Sequence, residues 1–319
     1  MNIEQMHVKK MRLKNISIKR EILQWSLPSI YLIILAAGWG AVLVVKGTIG
    51  PYGWWLLMMF GIATIVMLPV YCIIFIIKCI RKRRVYKSFY VLIVLSLLAS
   101  WSGGWFFGIG QIAYPVNIKK VEPTAYISLP VNHEVIVGWG GDTLKDNYHA
   151  WLPLERWAYD LMVMPAVVDS PNLEDYGIYG MEIVAPVSGT VVGAYDGYPD
   201  EIPNTDEADN MGNYVYLEIE ETGTYLVIGH IKPNSLLVEE GQYVKEGTPL
   251  AQAGNSGMSS EPHVHIHHQR QNPNDIYLLA EGLPLYFRDI EGNAMPKGGG
   301  HRVENGKNIL SGETIRPNH

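Results

Sequence analysis

Several residue types are scarce in this chain of 319 residues, and each shortage excludes a class of structure. Only two cysteines occur, Cys72 and Cys79, and both lie in or beside an apolar N-terminal segment. No disulfide framework can therefore support the C-terminal two thirds of the chain. That part is long enough to fold around a hydrophobic core without such cross-links.

Acidic residues are almost missing from the first 114 residues, which contain 13 lysines and arginines but only two acids, Glu4 and Glu21. The rest of the chain carries 29 acidic residues and 12 basic ones. This asymmetry predicts a membrane region joined to a soluble acidic domain. Because phosphate binding needs a basic surface, the acidic part excludes nucleic acid as an expected partner.

Charge is missing altogether from three long stretches, residues 22–45, 47–77 and 88–118. Each exceeds the roughly 20 residues that span a bilayer as a helix. They predict a transmembrane region over residues 26–110, with spans near 26–46, 54–77 and 89–109. The first span begins too late and is too long for a cleavable signal peptide.

Basic residues mark the predicted orientation in the membrane. They cluster before the first span, within residues 1–25, and again between the second and third spans. The positive-inside rule places both clusters in the cytoplasm. Residues 1–25 then form a cytoplasmic N-terminus, and a linker over residues 111–134 leads to an extracytoplasmic domain of a multi-pass membrane protein.

Beyond the linker the sequence consists of short β-rich runs separated by glycine, proline and asparagine. No helical periodicity of useful length interrupts them, so we expect an all-β domain, an antiparallel sandwich or open barrel. The domain is expected to cover residues 135–290. Residues 291–319 would form its C-terminal extension, with an irregular loop over residues 291–308.

Histidine is abundant in this part, with the densest group at residues 263–268. Side chains alternate along a strand, so His263, His265 and His267 would share one face. Imidazoles that project together into a cleft can bind zinc. Taken alone, an H-x-H pattern is more typical of buried structural histidines than of a metal site, so other residues must decide.

Four sequence blocks, taken together, resemble the lysostaphin-like zinc endopeptidases. Residues 254–268 read GNSGMSSEPHVHIHH, which is similar to the family's glycine turn followed by an H-x-H strand. A lone histidine in Gly229-His230-Ile231 precedes two glycine-punctuated turns within residues 238–250, and residues 185–191 read APVSGTV. The resemblance covers roughly residues 135–290, with the blocks in the family's order.

The resemblance implies a zinc site and the residues around it. His149, Asp160 and His265 are the implied zinc ligands, two nitrogens and one oxygen, which suits catalytic zinc. The resemblance also implies that His230 and His263 transfer protons or stabilise the oxyanion. No H-E-x-x-H helix is present to supply a glutamate base instead.

One departure from the family pattern concerns the first ligand. The family's commonest motif places a histidine four residues before the aspartate, where this chain has Arg156. His149 lies eleven residues before Asp160, and His133 is the alternative ligand.

The remaining histidines of this part are expected to matter less. His267 is a group behind the ligands or an exposed edge residue, and His268 should face away. His301 and His319, in a loop and the tail, are given no function.

These observations predict a zinc-dependent metalloendopeptidase, a membrane-anchored hydrolase that cuts peptide bonds in peptidoglycan stems or cross-bridges of the cell wall. The alternative is a catalytically silent member of the same fold that acts as a scaffold or activator of cell-wall enzymes, with an unknown membrane partner. A lipoyl-type carrier domain is disfavoured because no lysine occurs between Lys145 and Lys232 to be modified.

Overall fold

A computed structural model describes residues 3–44, 47–205, 208, 210–275 and 278–318. The chain forms two compact units, one within the first 112 residues and one built mainly from residue 113 onward. The first unit is helical and the second is rich in β-strands.

Three helices make up the first unit: α1 at Ile3–Val44, α2 at Ile49–Ile80 and α3 at Lys87–Gly103. By length and composition, Ser17–Val44, Ile49–Ile80 and Lys87–Phe107 can each cross a membrane. The three apolar helices predicted from the uncharged stretches are therefore confirmed. Helix α1 begins well before the predicted span because lysine, arginine and glutamate favour helix even where they end an apolar run.

The surfaces of these helices are apolar, as lipid contact requires. Ile33, Val44 and Leu98 are at least 60% exposed. Helices α2 and α3 meet at Gly61 and Gly103, where a Cβ on Gly103 would lie 2.4 Å from the carbonyl carbon of Gly61. Only glycine allows this backbone approach, which is a common way for membrane helices to pack.

Fifteen strands make up the second unit. They are β1 (Ala125–Ile127), β2 (Val135–Trp139), β3 (Tyr159–Met162), β4 (Glu182–Val184), β5 (Gly189–Tyr195), β6 (Tyr214–Ile219), β7 (Tyr225–Gly229), β8 (Tyr243–Val244), β9 (Pro249–Gln252), β10 (Val264–Gln269), β11 (Leu285–Phe287), β12 (Ile290–Glu291), β13 (His301–Glu304), β14 (Lys307–Leu310) and β15 (Thr314–Pro317).

Nine of these strands form one antiparallel sheet in the order β12-β15-β2-β3-β10-β7-β6-β5-β8. The other strands form three pairs, β4–β9, β13–β14 and the parallel pair β1–β11. The prediction of a β-rich, largely antiparallel domain is confirmed. Among the described residues the large sheet does not close into a barrel, and the parallel pair departs from the expected antiparallel pattern.

The prediction of an irregular loop over residues 291–308 holds for residues 292–300, which contain no strand, and is wrong from His301 onward. There strands β13 and β14 form a hairpin, with Glu304 opposite Lys307. Its two-residue turn is Asn305-Gly306, with φ angles of 51° and 76°. Asparagine followed by glycine tolerates two positive φ angles in succession, which is the requirement of a tight hairpin turn.

Strand β10 lies between β3 and β7 and separates the core from the site. Val264 and Ile266 face the hydrophobic core. His265 pairs with Asp160 of β3 on one side and with Gly229 of β7 on the other. The alternation of a strand therefore places the histidines on the face opposite the core.

Candidate metal centre and catalytic cleft

The sheet register brings the first two implied ligands together. Asp160 and His265 are 105 residues apart in the chain but directly opposite each other on β3 and β10. The Nδ1 atom of His265 lies 3.0 Å from Oδ1 of Asp160. Both side chains are buried.

His149 reaches the same carboxylate from a 3-10 turn at Tyr148–Trp151. Asn147 caps the turn, because its Oδ1 accepts from the backbone N–H of His149 and its Nδ2 donates to the carbonyl of Ala158. The second bond fixes the turn beside the start of β3. Consequently, Nε2 of His149 lies 2.8 Å from Oδ2 of Asp160.

Arg156, at the family's usual ligand position, points elsewhere. Its guanidinium donates to Asp142 and to the carbonyl of Pro115. The structure thus brings together His149, Asp160 and His265, whose ligand atoms lie within 4.8 Å of one another. Their role as metal ligands stays a prediction.

His230 and His263 lie beside this group, with ring centres 4.6 Å apart. His230 directly follows β7 and donates from Nδ1 to the carbonyl of Ser256, at 2.7 Å. His263 likewise donates from Nδ1 to the carbonyl of Glu261, at 2.7 Å. Since a carbonyl only accepts, each ring keeps Nε2 for other partners, and Nε2 of His263 lies 3.4 Å from Oδ1 of Asp160.

Burial and neighbouring charges act on these histidines in opposite directions. Burial and the adjacent His263 and His265 lower the pKa of His230 to about 3. Burial also disfavours the charged form of His263, but Asp160 outweighs this effect and raises the pKa of His263. His230 is therefore neutral at neutral pH, with an available lone pair on Nε2.

The acidic groups give the site a negative potential. Burial alone would raise the pKa of Asp160, but His149 and His263 outweigh it and hold that pKa well below its usual value. Burial also opposes charge on His149, yet Asp160 and Glu155 raise the pKa of His149 to about 10. An environment that stabilises a proton on His149 stabilises a metal cation at the same place.

Glu155 is a member of the site that sequence reasoning missed. Its Oε2 lies 3.1 Å from Nδ1 of His149, on the side of the ring away from Asp160. Its carboxylate also forms a compact group with His265 and His267. The available signal was an acid five residues before Asp160 in the otherwise largely apolar run WLPLERWAYDL at residues 151–161.

A cleft of about 60 Å³ opens beside this cluster and shares Asp160 and His263 with it. Trp139, Tyr148 and Met162 line one part of the cleft, together with His301 from the C-terminal hairpin. His301, which was expected in a loop and was given no function, lies in strand β13, and its Nε2 is 2.9 Å from Oε1 of Glu261.

Other histidines occupy different places. His133 is exposed, contacts the carbonyl of Glu134 and belongs to none of the metal-ligand groups among the described residues. His268 faces away from the site as expected, but it is buried and contacts Thr224 and Pro284. His267 is buried behind His265 rather than exposed at an edge.

The donor set fits zinc. Two imidazole nitrogens and one carboxylate oxygen converge from His149, His265 and Asp160, as in catalytic zinc sites with three protein ligands. Such sites keep one position open, and here a cleft lined by His263 adjoins the cluster at Asp160.

The fold is a β-rich domain that carries a buried cluster of histidines and carboxylates with the composition of a metal site. Residues 175–276 match the family described as Peptidase family M23. The chain therefore carries an M23 domain, and its identification with the lysostaphin-like family is confirmed. His230, His263 and His265 lie within the matched segment, whereas His149 and Asp160 precede it.

Several solved structures are similar to part of the chain. The antimicrobial peptidase lysostaphin from Staphylococcus simulans is 20% identical, with 46% of this chain and 47% of that chain covered and a TM-score of 0.30. A zinc-containing peptidase from Vibrio cholerae is 18% identical over 46% and 37% of the two chains, with a TM-score of 0.29.

A complex of SpoIIIAH and SpoIIQ is 21% identical over 47% and 98% of the chains, with a TM-score of 0.31. The chain spans about half the length of the full lysostaphin chains that it matches. No curated protein sequence matches the chain.

Proposed function

We propose that the chain is a membrane-anchored zinc metalloendopeptidase that hydrolyses peptide bonds in the stems or cross-bridges of peptidoglycan. One observation carries the proposal: His149, Asp160 and His265 converge as a ligand set, and His230 and His263 bring ring nitrogens within 4.8 Å of His265. A binding domain without catalysis has no need for two further buried histidines beside a ligand set.

Nε2 of His149, the carboxylate of Asp160 and Nδ1 of His265 would hold the zinc ion. When bound there, zinc supplies Lewis-acid catalysis to the scissile carbonyl and to the attacking water. His230 and His263 each use Nδ1 for a backbone carbonyl, so their Nε2 atoms would move protons between the attacking water and the leaving amine.

Peptidoglycan as the substrate follows from the M23 domain and from the proposed location. The cleft is lined in part by Gly138, Ser259, Ser260 and Gly300, whose small side chains leave room for an extended peptide. Short peptides rich in small residues are the kind of segment that the cell wall offers to a membrane-bound enzyme.

The proposed location rests on the basic clusters in residues 1–25 and 78–87, which orient the three helices with the M23 domain outside the cytoplasm. Protease added to intact protoplasts should then degrade the domain. Protection of the domain until the membrane is permeabilised would contradict this orientation.

The test uses the full chain purified in detergent, beside His265→Ala and His230→Ala variants. We expect the parent to hold about one zinc ion, as a site with three protein ligands does, and to release amino groups from purified peptidoglycan. His265→Ala should lose both properties, whereas His230→Ala should keep zinc and lose activity. Loss of zinc from both variants would contradict the division between ligand and proton-transfer residues.

A catalytically silent scaffold for other cell-wall enzymes is the second candidate. The observation that favours it is Arg156, which stands where the family's first ligand is expected and is bonded to Asp142 instead. A parent chain that is free of metal and inert on walls of several cross-link types would favour the scaffold. A partner in the same membrane would then be the next object of search.

A further inference from the structure

One face of β10 carries an unbroken row of polar side chains, His263, His265, His267 and Gln269. We propose that His267 and Gln269 are positioning residues that hold His265 in the tautomer able to bind a metal ion through Nδ1. This inference rests on the proposed zinc site, because it concerns how that site is prepared for the ion.

The hydrogen-bond directions can be read from the far end of the row. Gln269 places Nε2 2.7 Å from the carbonyl of Gln271, which can only accept, so the amide group of Gln269 donates there. Its Oε1 is therefore the atom that faces Nε2 of His267, at 3.0 Å. An amide oxygen also only accepts, so Nε2 of His267 carries a proton.

His267 in turn determines which nitrogen of His265 carries a proton. Its side chain is buried, which disfavours a charged ring, and with the proton on Nε2 the Nδ1 atom is left as an acceptor. Nε2 of His265 lies 2.9 Å from this Nδ1. His265 must therefore donate from Nε2, which leaves the lone pair on Nδ1 directed at the carboxylate of Asp160, 3.0 Å away.

The consequence is that a backbone carbonyl six residues along the chain determines which nitrogen of His265 can bind a cation. In the other tautomer, His265 would direct an N–H group at the site. Glu155 does the same for His149, because it accepts at Nδ1 and leaves Nε2 for Asp160 and the ion. Loss of such partners behind metal-binding histidines typically weakens metal affinity about 10- to 100-fold.

The chain offers a matched control one residue away. His268 is as buried as His267 but projects to the opposite side of β10, where it contacts Thr224 at 2.6 Å and the carbonyl of Pro284 at 3.0 Å. Replacing it creates a comparable defect in the fold without touching the row. Any general effect of losing a buried histidine from this strand will therefore appear in the His268 variant.

The experiment measures zinc affinity of the full chain in detergent by competition with a chromophoric chelator. It compares the parent with His267→Leu, His267→Asn and His268→Leu. We expect His267→Leu to weaken zinc binding about 10- to 100-fold. His267→Asn should keep most of the affinity, since the asparagine Oδ1 can accept at the position of Nδ1. His268→Leu should leave the affinity unchanged.

Nitrogen NMR of labelled histidine in the zinc-loaded chain provides a second measurement, with a proton expected on Nε2 of His265. Parent-like affinity in His267→Leu would overturn the inference, and so would an equal loss in His268→Leu. Two zinc ions in the parent and one in His267→Leu would also overturn it, because His267 would then be a ligand.

These outcomes are separable from those of the proposed function. A parent chain that binds zinc but cleaves no wall would overturn the peptidase proposal and leave the positioning role standing. A parent chain that binds no zinc at neutral pH would overturn both.

Discussion

The two faces of strand β10 are equally buried, yet they do different things. Val264 and Ile266 pack into the hydrophobic core, whereas on the other face His265 donates to His267 and His267 donates to Gln269. Burying a polar group without a partner is costly, so the polar face is stable only because each group in it is paired. Adjacent positions on one strand therefore separate stability from chemistry.

The largest effect is expected on peptidoglycan cleavage, when a histidine on the polar side of β10 is replaced and the core side is left unchanged. His263→Ala should lower peptidoglycan cleavage by about 10²- to 10⁴-fold, because it removes a proton-transfer group. The thermal midpoint and the zinc content should stay close to those of the parent. A variant with unchanged cleavage would remove His263 from the proposed catalytic residues.

A substitution on the core face of β10 should have the opposite result, a loss of stability without a loss of zinc affinity. Ile266→Ala deletes buried volume between β3 and β7 and should lower the free energy of unfolding of the β-rich unit by about 2 to 5 kcal/mol. Denaturant unfolding measures this loss. At low temperature, where the variant is still folded, zinc affinity should match that of the parent. A large loss of affinity in the folded variant would show that the two faces are not independent.

A smaller effect on zinc affinity is expected for Glu155, which contacts the proposed ligand His149 from behind. Glu155→Gln keeps an oxygen that can accept from Nδ1 of His149 but removes the negative charge. Zinc affinity should fall by about 10-fold, at the lower end of the range for groups that support a ligand. Chelator competition measures the change. A complete loss of zinc would mean that Glu155 is itself a ligand.

The smallest effect is expected for His133, which was the alternative ligand on sequence grounds. It is exposed and lies outside the ligand groups, so His133→Ala should change the free energy of unfolding by no more than about 0.5 kcal/mol. Zinc content should be unchanged. A metal-free His133→Ala variant would require a different ligand set from the one proposed.

The sequence predicted those parts of the site that follow from regular structure. The period of two along a strand placed His263, His265 and His267 on one side, and the motif order pointed to Asp160 and His230. These predictions depend only on strand geometry and on blocks that are continuous in the chain.

The parts that the sequence left open lie in irregular backbone. The segment that leads from His149 to Asp160 begins in a capped 3-10 turn, whose approach to the carboxylate depends on the bond from Asn147 to Ala158. No periodicity describes such a segment. Glu155 lies in the same segment and was missed for the same reason, since its contact with His149 exists only after the loop has folded.

The C-terminal hairpin differs from these segments, because the sequence contained a local pattern that could have predicted it. Asn305-Gly306 between two short extended runs is a strong local mark of a tight hairpin, but the neighbouring Gly298-Gly299-Gly300 suggested irregular structure. The contact between His301 and Glu261 could not have been found from spacing, since 40 residues separate the two.

The large sheet ends on both sides in strands of only two residues, β8 at Tyr243–Val244 and β12 at Ile290–Glu291. Such short edges present few free backbone groups with which a second molecule could pair. Many copies of a membrane-anchored domain share a thin layer beside the bilayer and meet often. Their crowding should therefore not lead to edge-to-edge aggregation, even though each sheet is open.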